Sequence, residues 1–319
     1  MYKRILAVMS ILLVGVVISY AQQEKIELEL PESIFLYSPE TGKEDIMYID
    51  EPLAYIEGTE PEGGSFADND EEENSLFDNV DRGIQTYSSK EDATQITDRR
   101  IVYLALTRKD GKKGSCSGAM VGDYVVLTAA HCLRDISKIT AYAGKKGASL
   151  HAEEDRVYYS GLHTGYAPLD EEADWGIIVL KEPLGRTTGT FGASAPVLYT
   201  TDKISIVGFP YSLKADRPWL SKGKVLPKAT GALAVTVTGA FNHSAWLQEG
   251  MSGGPIFEGW GTRSDIIGVN ATVKRVGVDL YYTGSGLGVI PALVNEVRNY
   301  KPSGKTHHSK SKNGQRHRK

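Results

Sequence analysis

His131, Asp174 and Ser252 are the residues whose types and settings could do chemistry together. His131 lies in the string T-A-A-H-C, which ends at Cys132. Asp174 lies in A-D-W-G-I-I-V-L, and Ser252 in G-M-S-G-G-P. A serine hydroxyl is a poor nucleophile at neutral pH. It needs an imidazole to take its proton and a carboxylate to hold that imidazole in the right tautomer. The three side chains therefore offer a nucleophile, a base and an acid for acyl transfer. Gly250, Gly253 and Gly254 surround the serine, so the backbone there can come close to a substrate carbonyl. The N–H groups of Gly250 and Ser252 are the candidate oxyanion hole. Such a donor is typically worth about a hundredfold or more in rate.

The order His, Asp, Ser is the chymotrypsin order; subtilisins run Asp, His, Ser and α/β-hydrolases run Ser, Asp, His. Three runs carry a family resemblance. They are G-S-C-S-G-A-M-V-G-D-Y-V-V-L-T-A-A-H-C from Gly114 to Cys132, G-M-S-G-G-P-I-F from Gly250 to Phe257, and T-Q-I-T-D from Thr94 to Asp98. On these residues the chain resembles the chymotrypsin-like serine peptidases, and within them the bacterial glutamyl-endopeptidase (V8-like) branch. The resemblance covers roughly residues 85 to 300. It implies an all-β fold of two six-stranded antiparallel barrels closed by a C-terminal helix. His131 and Asp174 would come from the first barrel, Ser252 from the second, with the active site in the cleft between them. The implied activity is a serine endopeptidase that cleaves protein or peptide substrates through an acyl-enzyme, with no cofactor and no metal. A reading from another class keeps the fold without the chemistry: a secreted homologue that binds a partner. The resemblance also implies a bridge between Cys116 and Cys132, the two cysteines of the chain, pinning the histidine loop. A closed loop of about 15 residues can contribute about 3 kcal/mol in the chain-entropy model.

The sequence departs from the family in two places. Met251 stands before the nucleophile, where trypsin-type enzymes carry an aspartate that pairs with a new N-terminal amine. Activation must then work differently, as in the V8-like branch. Asn270 stands about where that branch has a pocket histidine for glutamate. The pocket is read as Trp246, Leu247 and Gln248 at its floor and Val269, Asn270 and Ala271 along its wall. A buried glutamate carboxylate needs paired donors or positive charge. Glu249 is too near the oxyanion loop to serve as an acidic base for the pocket. The residues suit an uncharged side chain.

Short β-type runs separated by turn residues position these motifs. They are Arg100–Leu106, Ser117–Val121, Tyr124–Thr128, Trp175–Leu180, Ile204–Gly208, Ala232–Thr238, Gly253–Phe257, Ile266–Ala271 and Gly286–Ile290. Pro291 to Tyr300, with Leu293 and Val297 four apart, reads as a terminal helix. Gly284, Gly286 and Gly288 precede no phosphate-binding helix and read as a tight strand and pocket wall. His151, His163 and His243 have no metal-ligand spacing.

Residues 1–21 read as a secretory signal, with Lys3 and Arg4, an apolar stretch from Ile5 to Ile18, and Ser19-Tyr20-Ala21 at the cleavage site. The apolar stretch is short for a membrane span. This places the chain outside the cell, where a disulfide can form. The charge is split: from Gln22 to Asp98 it is roughly −18, and from Arg99 onward roughly +12. Residues 22–85 read as an acidic propeptide covering the cleft or holding a loop, the alternative being a disordered spacer. Residues 86–300 form the peptidase domain, expected to be monomeric. Residues 301–319 read as a disordered basic tail, either solubilising or drawn to an anionic cell-surface polymer; nucleic acid is a poor partner for an exported chain. Arg99-Arg100 before Ile101-Val102 mimics a tryptic activation site. Ile101 lies too close to Cys116 for that, so the cut is expected between about Asn79 and Lys90, in an exposed polar stretch.

Overall fold

The computed structural model describes residues 33–48, 55–60, 89–160, 174–195, 202–226, 240–261, 264–276, 279–285 and 289–303. Six strands close a first antiparallel barrel: β1 (Ile101–Arg108), β2 (Lys113–Met120), β3 (Val125–Thr128), β4 (Ile136–Ala143), β5 (His151–Ser160) and β6 (Gly176–Leu180). Their order is β6-β3-β2-β1-β4-β5, and β5 pairs back onto β6. Six more close a second: β7 (Lys203–Gly208), β8 (Trp219–Leu226), β9 (Phe241–His243), β10 (Pro255–Phe257), β11 (Ile266–Val276) and β12 (Asp279–Ser285). Here the order is β10-β7-β8-β9-β12-β11, closed by β10 on β11. The expected all-β fold of two six-stranded barrels is the observed one. The expected run Ala232–Thr238 lies outside the described residues.

Alternation explains the core. Side chains of successive strand residues point to opposite faces. In β1, Val102, Leu104 and Leu106 enter a cluster with Met120, Val126 and Ile178 of the same barrel. Ile101 and Tyr103 face the other way, into a cluster that also takes Val207, Phe209 and Val269 of the second barrel. A third cluster fills the second barrel with Ile204, Ile206, Phe241, Met251, Ile256 and Ile267. Helix α3 (Ile290–Val297) follows two short ones, α1 (Ala130–Leu133) and α2 (Leu184–Thr188). In α3, Leu293 and Val297 lie one turn apart on one face and are fully buried against the shared cluster. Each such burial contributes about 1.5–3 kcal/mol. Pro291 sits in the first turn, where its missing N–H costs no helix bond. Of the expected run Gly286–Ile290, the first three residues lie outside the described residues, and Ile290 opens α3 rather than ending a strand.

Described parts of the acidic segment 22–85, the leader, are built into both sheets. Ser33–Ser38 and Lys43–Tyr48 form a hairpin. Its first strand pairs with β5, Leu36 opposite Ser160 and Tyr37 opposite Tyr159. Further on, Tyr55–Ile56 pairs antiparallel with Ala193–Ser194, which itself pairs parallel with β11 at Ile266. Thr59 bridges to Thr190. Beyond the leader, Thr94–Gln95 pairs with β8. At the other end, the first tail residues are held by the first barrel: the Ser303 N–H donates to Asp155 (2.7 Å), and Arg156 donates to the Lys301 carbonyl (2.9 Å).

Both residues of the Arg100–Ile101 bond are buried. Arg100 forks onto the Asp98 carboxylate, with its shortest contact at 2.7 Å, and lies 4.0 Å over the Phe191 ring. Ile101 is fully buried at the start of β1.

Candidate active site

His131 lies in α1, directly after β3; Asp174 precedes β6, which pairs with β3. The pairing brings the two together. Asp174 is buried and uses both oxygens on His131. Its Oδ1 accepts the backbone N–H of His131 (2.9 Å), and its Oδ2 lies 2.7 Å from Nδ1. A carboxylate at that distance assigns the proton to Nδ1 and leaves Nε2 as the acceptor. The imidazole is partly exposed, with 26% of its side-chain surface accessible, so Nε2 can be reached from solvent.

The Cys116–Cys132 disulfide ties β2 to α1. The Cys132 sulfur lies 3.6 Å from Nε2 of His131 and 3.8 Å from the carbonyl oxygen of Ser252. The bridge thus sits where the histidine helix meets the nucleophile loop. Cys116, His131 and Cys132 bring three ligand-type atoms within 4.8 Å of one another. Both sulfurs are committed to each other, so neither offers a thiolate to a cation.

Ser252 lies in the loop between β9 and β10. Gly250 (φ +94°) and Gly253 (φ +77°) give the loop its turns. A Cβ at Gly250 would lie 2.5 Å from the Phe209 carbonyl oxygen, and one at Gly253 2.1 Å from the Thr128 hydroxyl. Only glycine fits either position. The backbone N–H of Met251 donates to Gln248, that of Gly253 to Asn270, and that of Gly254 to Met251. Among the described residues, the N–H groups of Gly250 and Ser252 have no partner. These are the two named from sequence as the oxyanion pair. Also among the described residues, Ser252 Oγ makes no hydrogen bond to His131. Such contacts are often long without substrate and tighten on binding.

Sequence reasoning missed Ser117. This buried residue of β2 holds the nucleophile loop from the first barrel. Its N–H donates to the Ser252 carbonyl (2.8 Å) and its Oγ to the Gly250 carbonyl (2.8 Å). The same Oγ accepts the N–H of Phe209 (2.8 Å), and the Ser117 carbonyl accepts from Thr128 Oγ1 (2.7 Å). The sole signal in the sequence was a polar residue at a core strand position.

The pocket residues separate. Trp246 packs in the second-barrel cluster with its ring 6.3 Å from that of Trp219, with Leu247 partly buried beside the cluster. Gln248 accepts a hydrogen bond from the Ser212 hydroxyl, and Glu249 is exposed. Val269 is corrected: its side chain belongs to the core cluster shared by the barrels, on the face of β11 opposite to Asn270. Ala271 is buried at a register shift in β11. Asn270 is fully buried, its amide donates to the Met251 carbonyl (3.1 Å), and its Oδ1 has no partner. Met251 itself packs in the apolar cluster, far in character from an ion-pair partner. His243 is fully buried in the second barrel, and neither ring nitrogen has a partner. Desolvation pushes its pKa down to about 3, against a smaller opposing effect of Asn270. Gly284 is packed tightly, as a Cβ there would lie 2.7 Å from the Phe241 ring. Gly286 and Gly288, like His163, lie outside the described residues. His151 is an exposed residue bonded to nearby carbonyls.

Residues 90–286 match the family described as Trypsin. The chain belongs to the trypsin family. Its curated relatives include a glutamyl endopeptidase of Bacillus licheniformis, 27% identical over 237 residues, 69% of this chain and 70% of the relative. That relative agrees with the V8-like resemblance seen in the sequence. The solved structure of a Glu endopeptidase superposes with a TM-score of 0.52 at 18% identity, covering 65% of this chain and 97% of the other. The protease Anisep from Arthrobacter nicotinovorans gives 0.53 at 17% identity, covering 65% and 100%. These likenesses extend the trypsin fold across the two barrels. Trypsin-family proteases act on protein or peptide substrates, so the chain carries the fold and family of a hydrolase.

Proposed function

We propose that the chain is a secreted serine endopeptidase made as a zymogen. Ser252 Oγ attacks the scissile carbonyl while Nε2 of His131 takes its proton. Asp174 holds the Nδ1 proton and steadies the imidazolium that forms. The oxyanion of the tetrahedral intermediate falls to the N–H groups of Gly250 and Ser252. Collapse expels the amine, protonated by His131, and leaves an acyl-enzyme that water hydrolyses by the same steps. The observation that carries this reading is the pair of unpartnered N–H groups at Gly250 and Ser252, while those of their neighbours Met251, Gly253 and Gly254 are each bonded.

The domain division follows from it: signal 1–21, pro-segment 22–85, peptidase 86–300 and basic tail 301–319. Export to the extracellular space and attraction of the tail to an anionic surface belong to the same proposal. The second reading keeps the fold without the chemistry, as a non-catalytic binding homologue. A fluorophosphonate probe separates the two. Labelling mapped to Ser252 supports the peptidase, and an unlabelled, folded chain supports the binder.

The pocket reading is an uncharged primary side chain. Asn270 has its amide on Met251, and its free atom is an acceptor. His243 nearby is neutral at working pH. Neither offers a glutamate carboxylate the positive charge it needs. A peptide-library profile should place glutamate well below apolar or neutral polar residues. A profile dominated by glutamate would overturn this assignment.

Ser117 is the positioning residue of this mechanism. Ser117→Ala should lower kcat about 10- to 100-fold with KM little changed, because it frees the oxyanion loop rather than the substrate site. It should also cost about 1–3 kcal/mol of stability, since the buried Phe209 N–H loses its acceptor. An unchanged kcat in a destabilised protein would make Ser117 structural only.

A further inference from the structure

The leader meets the body at two separate strand edges. At the first, two residues of the hairpin add to β5. Leu36 is 1% exposed and sits in the cluster shared by the two barrels. The Tyr37 ring lies 5.3 Å from that of Tyr159. At the second, the backbones of Thr59 and Thr190 exchange hydrogen bonds of 3.1 and 2.8 Å, and their hydroxyls lie 2.9 Å apart. A Cβ at Gly58 would lie 2.3 Å from the Thr190 carbonyl, and one at Gly192 would lie 2.4 Å from the Ile56 carbonyl. Both sides of this contact lack side chains where the backbones pass. A solvated spacer needs neither a buried leucine nor facing glycines.

The second edge lies between β6 and β7, on the segment that joins one barrel to the other. The leader therefore holds the first barrel at one point and the linker at the next. Two docking points on one chain reinforce each other, because release of one leaves the other holding it close. Both lie N-terminal to the cut expected between Asn79 and Lys90.

We propose that residues 33–48 and 55–60 are a strand-adding clamp that remains bound to the peptidase body as a separate chain after that cut. The body's docking surface is the β5 edge at Tyr159–Ser160 together with Thr190–Ser194, and its occupant is this chain's own leader. The proposal takes the place of the cut from the domain division above but does not depend on peptidase activity.

The test uses the full chain carrying Ser252→Ala, so that self-digestion plays no part, with a site for a sequence-specific protease inserted between Arg82 and Gly83. After cleavage, the sample is run on a sizing column without denaturant, and each peak is identified by mass. The expected result is one peak holding leader and body in equal amounts. A leader fragment that elutes alone would overturn the proposal. Gly58→Val in the same background tests the contact itself. The cut variant should lose its leader, while an equal-stoichiometry peak would show that the Thr59–Thr190 edge does not hold it. If that variant misfolds before cleavage, labelled 33–60 peptide added to the cut parent protein gives the same answer. Exchange of label into the body peak supports the docking surface, and its exclusion, with the original fragment also gone, sinks it. Because the serine is already absent, failure of the peptidase reading would leave these outcomes unchanged.

Discussion

Ser252→Ala is expected to lower kcat/KM on the order of a millionfold and to leave the melting temperature nearly unchanged. The size of the first effect follows from the division of labour. Asp174 and the disulfide hold His131 in place whether or not the hydroxyl is there, but without Oγ the imidazole has no proton to take. What remains is the oxyanion pair and substrate binding. His131→Ala should be about as damaging, and the double variant little worse than either, because the groups act as one unit. The second effect follows from what holds the loop. Its shape rests on the backbone of Gly250 and Gly253 and on Ser117, which grips the carbonyls on both sides. Among the described residues, Ser252 Oγ has no hydrogen bond, so its loss orphans no partner. The measurement is kcat/KM on a fluorogenic peptide pool, with thermal melts of both proteins. Most of the activity surviving in pure Ser252→Ala would remove the nucleophile assignment. A large drop in melting temperature would show that the hydroxyl is structural.

His243→Phe is expected to make the protein markedly more resistant to acid. His243 lies inside the second barrel, its ring 6.0 Å from Tyr282 and 6.2 Å from Phe241, with no partner for either nitrogen. Burial lowers its pKa in the folded state to about 3, from an ordinary 6.5. As pH falls through 6.5 the unfolded chain takes up a proton that the folded chain refuses until near pH 3. The folded state therefore loses stability across that window and loses no more below it. The whole loss is on the order of 5 kcal/mol, comparable with the net stability of many domains. Phenylalanine is close in shape and has no proton to bind. It also removes two unsatisfied buried nitrogens, so stability at neutral pH should hold or rise. Melts between pH 4 and 8, in the Ser252→Ala background, give the comparison. Parallel curves for the two proteins would show that His243 is solvated or paired in a way that cancels the effect.

The fold was legible where sequence carried an uninterrupted apolar signal. I-V-Y-L-A-L, V-V-L-T and G-I-I-V-L each read as strands and are β1, β3 and β6. β5 was not legible, because His151, Glu153, Glu154, Asp155 and Arg156 dominate it and an irregularity at Asp155 breaks the alternation between buried Ala152 and buried Val157 and Tyr159. β9 is three residues long, too short for any period to emerge. The triad's order showed which residues to gather, and the pairing of β3 with β6 explains how two of them meet. The pocket was harder. Three consecutive residues of one strand cannot all face one cavity, so Val269 had to point away from Asn270. The charge of the leader suggested a propeptide, with a disordered spacer as the alternative, but an average says nothing of where such a segment docks; a few uncharged positions, Leu36 and Gly58 among them, decide that. Ser117 showed only as a polar residue at a core strand position, since its role depends on three backbone groups far away in sequence.

The leader's pairing also sets a timetable. Its hairpin is made from neighbouring residues and can form as soon as it is synthesised, but a lone two-stranded hairpin is marginal in water. Its first partner, Ser160, is joined to the chain long after Leu36, and Thr190 later still. Until then the leader waits with an unfilled edge and an exposed leucine. A segment made well before its partners is thus among the last to find its place. Between those moments it depends on whatever keeps an unfinished strand from pairing with another chain.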